Sequence, residues 1–463
     1  MMTRTMTPAG FKPLTLKPFR SRTDARTRLS LSDYWLLAGM WLAMFYVADP
    51  FGLRLDLIGV TKHLPLMLGI GGVILANIGA WIFPPREEAA TRRKYWQILS
   101  VALPLILLGA WIFFGSLFAR KVEGINNTFI NVGLYMLFTV FIARQTMLSP
   151  ARASLVKAYL LGATIAGVFM VIRMLPLGWP RVNYHELEAL IIPLAAYFAL
   201  RPGNRHWKAF WTLFFIMGGL VFQKNTGFLV LGLTLLYIWV VEWRFRFRES
   251  AGFRFWTVLW TVVIIVAGIA AYGYLAYQRG EIMPSGNPQY RMVTYERAWL
   301  DFRDSPIWGT GFTEAAVKRF TGFDIQAARG ILATHSDVLD MAANGGLIAI
   351  LLWIWSYIRI GRVSMRHVLR GRVQDDLHAA AHTLACMAVT SIIVYAFNPI
   401  LLQPVKALLH WAPIGLLLGI TLHLASIATD KPSAKAVLGK KLTLIPYYKD
   451  RKNSEYRLTR KYS

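Results

Sequence analysis

The sequence predicts an all-α polytopic membrane protein with about twelve transmembrane helices and one long external loop. Two observations predict this class. Hydrophobic residues make up 56% of the 463 residues and charged residues only 16%, which is too apolar for a soluble chain of this length. The apolar residues also fall in segments that suit a bilayer core, which needs about twenty residues per helix.

The sequence contains twelve apolar segments that can be transmembrane helices. Some are slightly shorter than about twenty residues, which is tolerated because polar side chains at the ends of a helix can snorkel to the interface. The seventh and eighth are separated only by the turn Gln223-Lys224-Asn225-Thr226, and merging them would reverse the orientation of every later span. The predicted spans are residues 34–48, 64–83, 98–118, 128–143, 155–172, 186–200, 210–222, 227–241, 256–277, 336–357, 379–397 and 405–427.

Basic residues are distributed unevenly between the two sides of the predicted membrane layout. In membrane proteins Lys and Arg are enriched in the cytoplasmic loops. If both termini are cytoplasmic, the clusters lie in the two tails and in four loops on the same side. Merging spans seven and eight would move two clusters outside, so the asymmetry favours twelve spans. The predicted organisation is a basic cytoplasmic tail (1–32), spans one to nine (33–277), a long external or periplasmic loop (278–335), spans ten to twelve (336–427) and a second basic tail (428–463).

The formal charge of +27 does not indicate a nucleic-acid partner, because the basic residues form short runs between apolar segments and no single basic domain. Anionic membrane lipids are the expected partner of the basic tails. The single Cys386 lies in an apolar segment and can form no internal disulfide, so we interpret it as a small buried hydrophobe.

The external loop between spans nine and ten is roughly sixty residues long, well above the usual length of a connection. Residues 289–303 place Met292, Tyr295, Trp299 and Phe302 at helical spacing, and the run stops where Ser305 precedes Pro306. The sequence therefore predicts an amphipathic helix on the membrane surface or across the mouth of a cavity. Its arginines, Arg291, Arg297 and Arg303, are either solvated charges or, for Arg291 above all, ligands of an anion.

The start of span ten carries the second group of polar residues. Thr334, followed three residues later by Asp337, predicts a capping box, which would place His335 in the first helical turn. An imidazole near its unperturbed pKa of about 6.5 can accept a proton at neutral pH, although a plain interfacial histidine would look the same. Asp337, Asp340 and Asn344 follow along one face, as expected of a helix that lines a wet cavity.

Other cations are predicted on the outer face, among them Arg181, Lys224 and Lys406. Several cations close to one histidine suit an anionic phosphate group. The sequence has no DxD or HExxH pattern and no His/Cys cluster with metal spacing, so we expect no metal and no cofactor. We interpret His382 and His410 as packed polar residues.

These features resemble the O-antigen ligase and O-antigen polymerase superfamily of bacterial envelope glycosyltransferases. The resemblance rests on the long external loop late in the chain, on RMVTYERAWLDFRDSPIWGTGF (residues 291–312) and on the HSDVLDMAANGGLIA run that begins at His335. In the family an arginine is frequent near the turn between spans seven and eight, where this chain has Lys224. An acidic residue is frequent where it has Asn344.

The resemblance implies a GT-C-like fold and a transferase of the bacterial inner membrane whose donor is a glycan linked to undecaprenyl pyrophosphate. On that basis His335 and Arg291 are the candidate catalytic residues, and Lys224, Arg181 and Asp337 are the candidate substrate-binding residues. The acceptor would be another lipid-linked glycan or lipid A core. Two other classes stay open: a transporter of lipid-linked oligosaccharide or polysaccharide, and a scaffold within an export complex.

Overall fold

A computed structural model of the chain describes residues 28–49, 64–76, 89–118, 127–174, 187–221, 225–246, 287–312, 336–369, 373, 375–398 and 404–430. These residues form helices and contain no β-strand, which confirms the all-α class. Every predicted span except the ninth coincides with a described helix. The ninth, residues 256–277, lies outside the described part of the chain.

The described helices are α1 (Leu31–Ala48), α2 (Leu64–Ala76), α3 (Ala89–Phe118), α4 (Asn127–Leu148), α5 (Arg152–Met174), α6 (Glu188–Leu200), α7 (Arg205–Val221), α8 (Asn225–Arg246), α9 (Asn287–Asp304), α10 (Asp337–Ser364), α11 (Asp376–Phe397) and α12 (Pro404–Asp430). Of the described helices, α1, α3, α5, α8, α10, α11 and α12 are the 7 that are long and apolar enough to cross a membrane. The chain is therefore a polytopic membrane protein, while the count of twelve spans and the domain boundaries stay predictions.

Spans seven and eight are separate helices, since α7 ends at Val221 and α8 begins at Asn225. That the two helices cross the membrane as two spans stays a prediction. The predicted orientation of the termini follows from the basic residues alone and stays a prediction.

The core of the bundle surrounds α12, whose most apolar stretch is 89% buried. Gly415 and Gly419 stand four residues apart on the side that faces α4. A Cβ at Gly419 would lie 2.7 Å from the backbone oxygen of Ala143, and one at Gly415 would lie 2.9 Å from that of Thr139. Small residues at this spacing let two membrane helices approach through their backbones, and this contact fixes α12 in the centre.

A buried carboxylate ties α1 to α4. Ser30 caps α1, and its side chain and that of Asp33 form a reciprocal capping box. The Asp33 carboxylate also accepts hydrogen bonds from Gln145 Nε2 at 2.8 Å and from Ser149 Oγ at 2.9 Å. Because each oxygen has donors, the charge is tolerated in the interior.

The predicted amphipathic helix exists. Helix α9 spans Asn287–Asp304 and ends directly before Ser305 and Pro306, as expected from the restricted backbone of a residue that precedes proline. It packs against α10. This packing brings the segment that carries Arg291 to α10.

Candidate functional site

Of the five predicted site residues, Arg291 and Asp337 belong to the described part of the chain. His335, Lys224 and Arg181 lie outside it. The geometry of the candidate site is therefore built from α9, from α10 and from the helices that pack around them.

The N-cap of α10 is Ser336, and the predicted capping box that starts at Thr334 is wrong. Ser336 has an extended backbone, and its Oγ accepts a hydrogen bond from the backbone N–H of Leu339 at 3.4 Å. A serine or threonine caps from the last non-helical position, and here that position is two residues later than predicted. His335 consequently precedes the N-cap and does not belong to the first helical turn.

Helix α10 is broken at Gly346, which has φ 64° and ψ −164°. We call residues 337–345 the first arm and residues 347–364 the second arm. In a continuous helix Asp337 and Tyr357 would be about 30 Å apart at 1.5 Å per residue. Instead the Asp337 carboxylate lies close enough to the Tyr357 phenol to act on it electrostatically. The first arm therefore does not continue along the axis of the second.

Backbone that leaves the helical path inside a membrane must find other hydrogen-bond partners. Here residues 306–311, which follow α9, supply them by inserting beside the break, and Trp111 of α3 adds one more. The bonds run from Thr310 N to the oxygen of Ala343 (2.9 Å), from Gly311 N to that of Asn344 (2.9 Å), from Leu347 N to that of Pro306 (2.8 Å) and from Trp111 Nε1 to that of Gly345 (3.0 Å). Residues 306–311 and the broken helix thus form one unit.

Replacing Gly346 by alanine is expected to destabilise this unit by about 3 kcal/mol, because its backbone conformation is essentially restricted to glycine. The added Cβ would also lie 2.3 Å from the oxygen of Ile307. Thermal unfolding of the purified protein in detergent measures the effect. Gly361→Ala is the matched control, since a Cβ at Gly361 meets nothing within 4 Å in the second arm. Equal melting temperatures for the two variants would contradict the assignment.

The inner face of α9 differs from the predicted one. Thr294, Ala298 and Asp301 are buried, whereas Trp299 is 57% exposed. Arg291 lies on the edge of this buried face and is itself half-buried, while Arg297 is exposed. The structure therefore separates Arg291 from the other helix arginines and places it toward α10.

Arg291 and the first arm meet at Tyr295. Burial raises the pKa of the Tyr295 phenol; the Arg291 guanidinium beside it lowers that pKa in part, and the Asp340 carboxylate raises it further. Asp340 lies one turn from Asp337, which is buried. A half-buried cation and two carboxylates of the first arm are thus gathered where α9 contacts α10. Tyr295 belongs to this group, whereas the sequence analysis named it only as part of the apolar spacing of the helix.

Two buried histidines hold tyrosines within the bundle. His382 Nδ1 lies 3.0 Å from the Tyr237 hydroxyl, and His410 Nε2 lies 2.8 Å from the Tyr357 hydroxyl. Both are packed polar residues, in agreement with the sequence analysis. His410 nevertheless connects α12 to Tyr357 and so to the vicinity of Asp337, a connection that required knowledge of the break at Gly346.

The start of α8 is anchored by Glu188, which is fully buried at the beginning of α6. Its Oε1 accepts a hydrogen bond from Thr226 Oγ1 at 2.8 Å. Thr226 stands two residues after Lys224, so this bond fixes the helix end next to the predicted phosphate-binding lysine. Within the described ranges no group of three His, Cys, Asp or Glu side chains could hold a metal ion.

Comparison with known families identifies the segment that contains this site. Residues 210–354 match the family model described as O-Antigen ligase. The matched range begins in α7, contains α8, α9 and the first arm of α10, and ends in the second arm. The resemblance to the O-antigen ligase and polymerase superfamily is thereby confirmed. A comparison with curated proteins finds no match to the chain.

Proposed function

We propose that this chain, which is similar to O-antigen ligases over residues 210–354, transfers or polymerises glycan from an undecaprenyl-pyrophosphate donor on the outer face of the bacterial inner membrane. The family match supports a membrane glycosyltransferase of the O-antigen ligase type, acting on a lipid-linked glycan and an acceptor. The observation that carries the finer proposal is the position of Arg291. This half-buried cation lies against the first arm, which begins two residues after His335.

The reaction forms a bond between the acceptor oxygen and the anomeric carbon of the donor glycan, and it breaks the bond from that carbon to the pyrophosphate. The acceptor hydroxyl loses its proton to His335, and the pyrophosphate departs with the bonding electron pair. Arg291 stabilises the charge that develops on the leaving group, together with Lys224 and Arg181. Asp337 contacts the substrate from the first arm.

The pyrophosphate anhydride is itself a good leaving group, so we propose a transferase without metal or cofactor. Transfer by the purified protein should therefore proceed at an unchanged rate in the presence of a chelator. The readout is conversion of lipid-linked glycan to a longer or acceptor-linked product on a gel. Activity that is lost with chelator and restored by a divalent cation would contradict the proposal of a metal-independent mechanism.

The same assay separates the proposed transferase from the alternatives. A transporter of lipid-linked glycan would hold its anionic passenger with the same cations but would make no new bond. A scaffold within an export complex would be unaffected by simultaneous neutralisation of Arg291 and His335. Formation of a longer glycan by wild-type protein, and its loss in the double variant, would exclude both.

The acceptor decides between a ligase and a polymerase. Lipid A core as the acceptor would make the chain a ligase in lipopolysaccharide biosynthesis, and a second lipid-linked glycan would make it a polymerase of O-antigen or exopolysaccharide. The glycan profile of a deletion strain, complemented with the wild-type gene or with the His335→Ala variant, distinguishes them. If long lipid-linked chains are missing from the deletion strain, the protein is the polymerase. If long lipid-linked chains accumulate in that strain, the protein is the ligase.

A further inference from the structure

A small cavity of about 20 Å³ lies between the start of α6, the second half of α11 and the first turns of α12. Its polar lining comprises Lys406, His410 and Ser391. The remaining lining is apolar and consists of Leu187, Ala189, Leu190, Met387, Leu409 and Pro413. Lys406 and His410 are four residues apart on α12 and therefore share one face of that helix.

The two nitrogen-bearing side chains of the lining differ in burial. Lys406 is half-buried, whereas His410 is one turn deeper and 4% exposed. His410 Nε2 is engaged by the Tyr357 hydroxyl, and Nδ1 has no hydrogen-bond partner among the described residues. A buried polar nitrogen without a partner costs about 1–3 kcal/mol, so an occupant that bonds Nδ1 would be favoured.

The chemistry of the lining selects the occupant. When the Tyr357 hydroxyl donates to Nε2, Nδ1 carries the ring proton and is a donor with no partner among the described residues. The Lys406 ammonium, which has three N–H donors, supplies a second and charged donor to the lining. Ser391 donates to the backbone oxygen of Met387 at 2.7 Å, so its hydroxyl proton is already used. Two donors, one of them cationic, within an apolar wall suit one oxygen of an anion.

We propose that this cavity is an anion site that takes one oxygen of a phosphate group between Lys406 and His410. The volume admits a single oxygen-sized group, because a bound water needs a cavity of similar size. The rest of the phosphate would lie beside Lys406. This inference deepens the proposed function and rests on it for the identity of the ligand, since polyprenyl pyrophosphate is the leaving group of that reaction.

The test is equilibrium binding to the full-length protein in neutral-lipid nanodiscs, with undecaprenyl phosphate and inorganic phosphate as separate probes and undecaprenol as the uncharged reference. Lys406→Met should weaken phosphate-dependent binding about tenfold or more, as expected for loss of a charge-assisted hydrogen bond. Lys406→Arg should retain most of it. Lys157→Met is the matched control, because it removes one positive charge from the ion pair with Asp376.

Each outcome of this experiment supports or refutes the proposed anion site. If only undecaprenyl phosphate depends on Lys406, the ligand is a lipid headgroup, and if inorganic phosphate depends on it equally, the site recognises phosphate without the chain. If Lys406→Met and Lys157→Met bind both probes alike, the cavity holds only water and the proposal is overturned. Lys406-dependent binding by a protein that transfers no glycan would refute the proposed function and leave this site standing.

Discussion

His335→Ala is expected to lower the rate of glycan transfer by about 10²- to 10⁴-fold, the usual contribution of a general base. The acceptor hydroxyl is a weak nucleophile at neutral pH, and alanine cannot remove its proton. Transfer should be measured with wild-type and variant protein in the same membranes at saturating donor.

His378 provides the matched control for this substitution. It also lies at the start of a helix, where its ring Nδ1 is 2.9 Å from the carboxylate of the N-cap residue Asp375. His378→Ala removes an imidazole from a helix start without touching α9 or α10, so its transfer rate should stay within about twofold of the wild type, as for a surface substitution. A wild-type rate in His335→Ala would refute the base assignment.

The positions of the helices could be predicted because a bilayer leaves the backbone little choice. Every lipid-exposed N–H and C=O must be satisfied within the segment, so apolar stretches of sufficient length become helices. The end of α9 was also predictable, because Pro306 restricts the residue before it. Both signals are local and can be read without knowledge of any partner.

The break in α10 could not be predicted in the same way. Gly345-Gly346 is compatible with a continuous helix, and the sequence analysis assumed one. What stabilises the break is the insertion of residues 306–311, whose backbone bonds the carbonyls of Ala343 and Asn344. These partners are more than thirty residues apart in the chain, so the break depends on tertiary contact and not on local propensity.

The candidate site was predictable in its residue types but not in its arrangement. Spacing along α9 suggested an apolar face that includes Trp299, whereas the helix buries Thr294, Ala298 and Asp301 against its neighbours. Hydrophobic spacing does not identify the buried face of α9, because this helix lies at the surface of the protein. A tryptophan is tolerated there in an exposed position. Only the packing reveals that Arg291, and not Arg297, is directed toward α10.

The loop that follows α9 holds this helix against the first arm of α10. Since residues 306–311 supply the hydrogen bonds of the break, α9 cannot move away from the first arm without exposing backbone groups in the membrane. Arg291 is therefore held in register with Asp337 and Asp340 by main-chain bonds at a distance from the site. Electrostatic catalysis requires such a fixed charge, because a charge that must reorganise during the reaction contributes less.

Arg291→Ala is accordingly expected to lower kcat/KM for glycan transfer by about 10²- to 10³-fold, which corresponds to the roughly 2.7–4 kcal/mol that one preorganised charge contributes. Arg291→Lys should recover only part of this loss, since it restores the charge but not the two-pronged hydrogen bonding of a guanidinium. The measurement is the initial rate of transfer over a range of donor concentrations, with the melting temperature recorded for every variant.

Arg297→Ala is the control that makes this result specific. The Arg297 side chain is 55% exposed, and its Nε lies 3.9 Å from the carboxylate of the buried Asp301, a long ion pair with a solvated cation that contributes little. It shares the helix, the charge and the chain neighbourhood of Arg291 but not its orientation toward α10. If the two alanine variants lose activity to the same extent, the effect belongs to the net charge of α9. If only Arg291→Ala does so at an unchanged melting temperature, the charge acts where α9 meets the first arm.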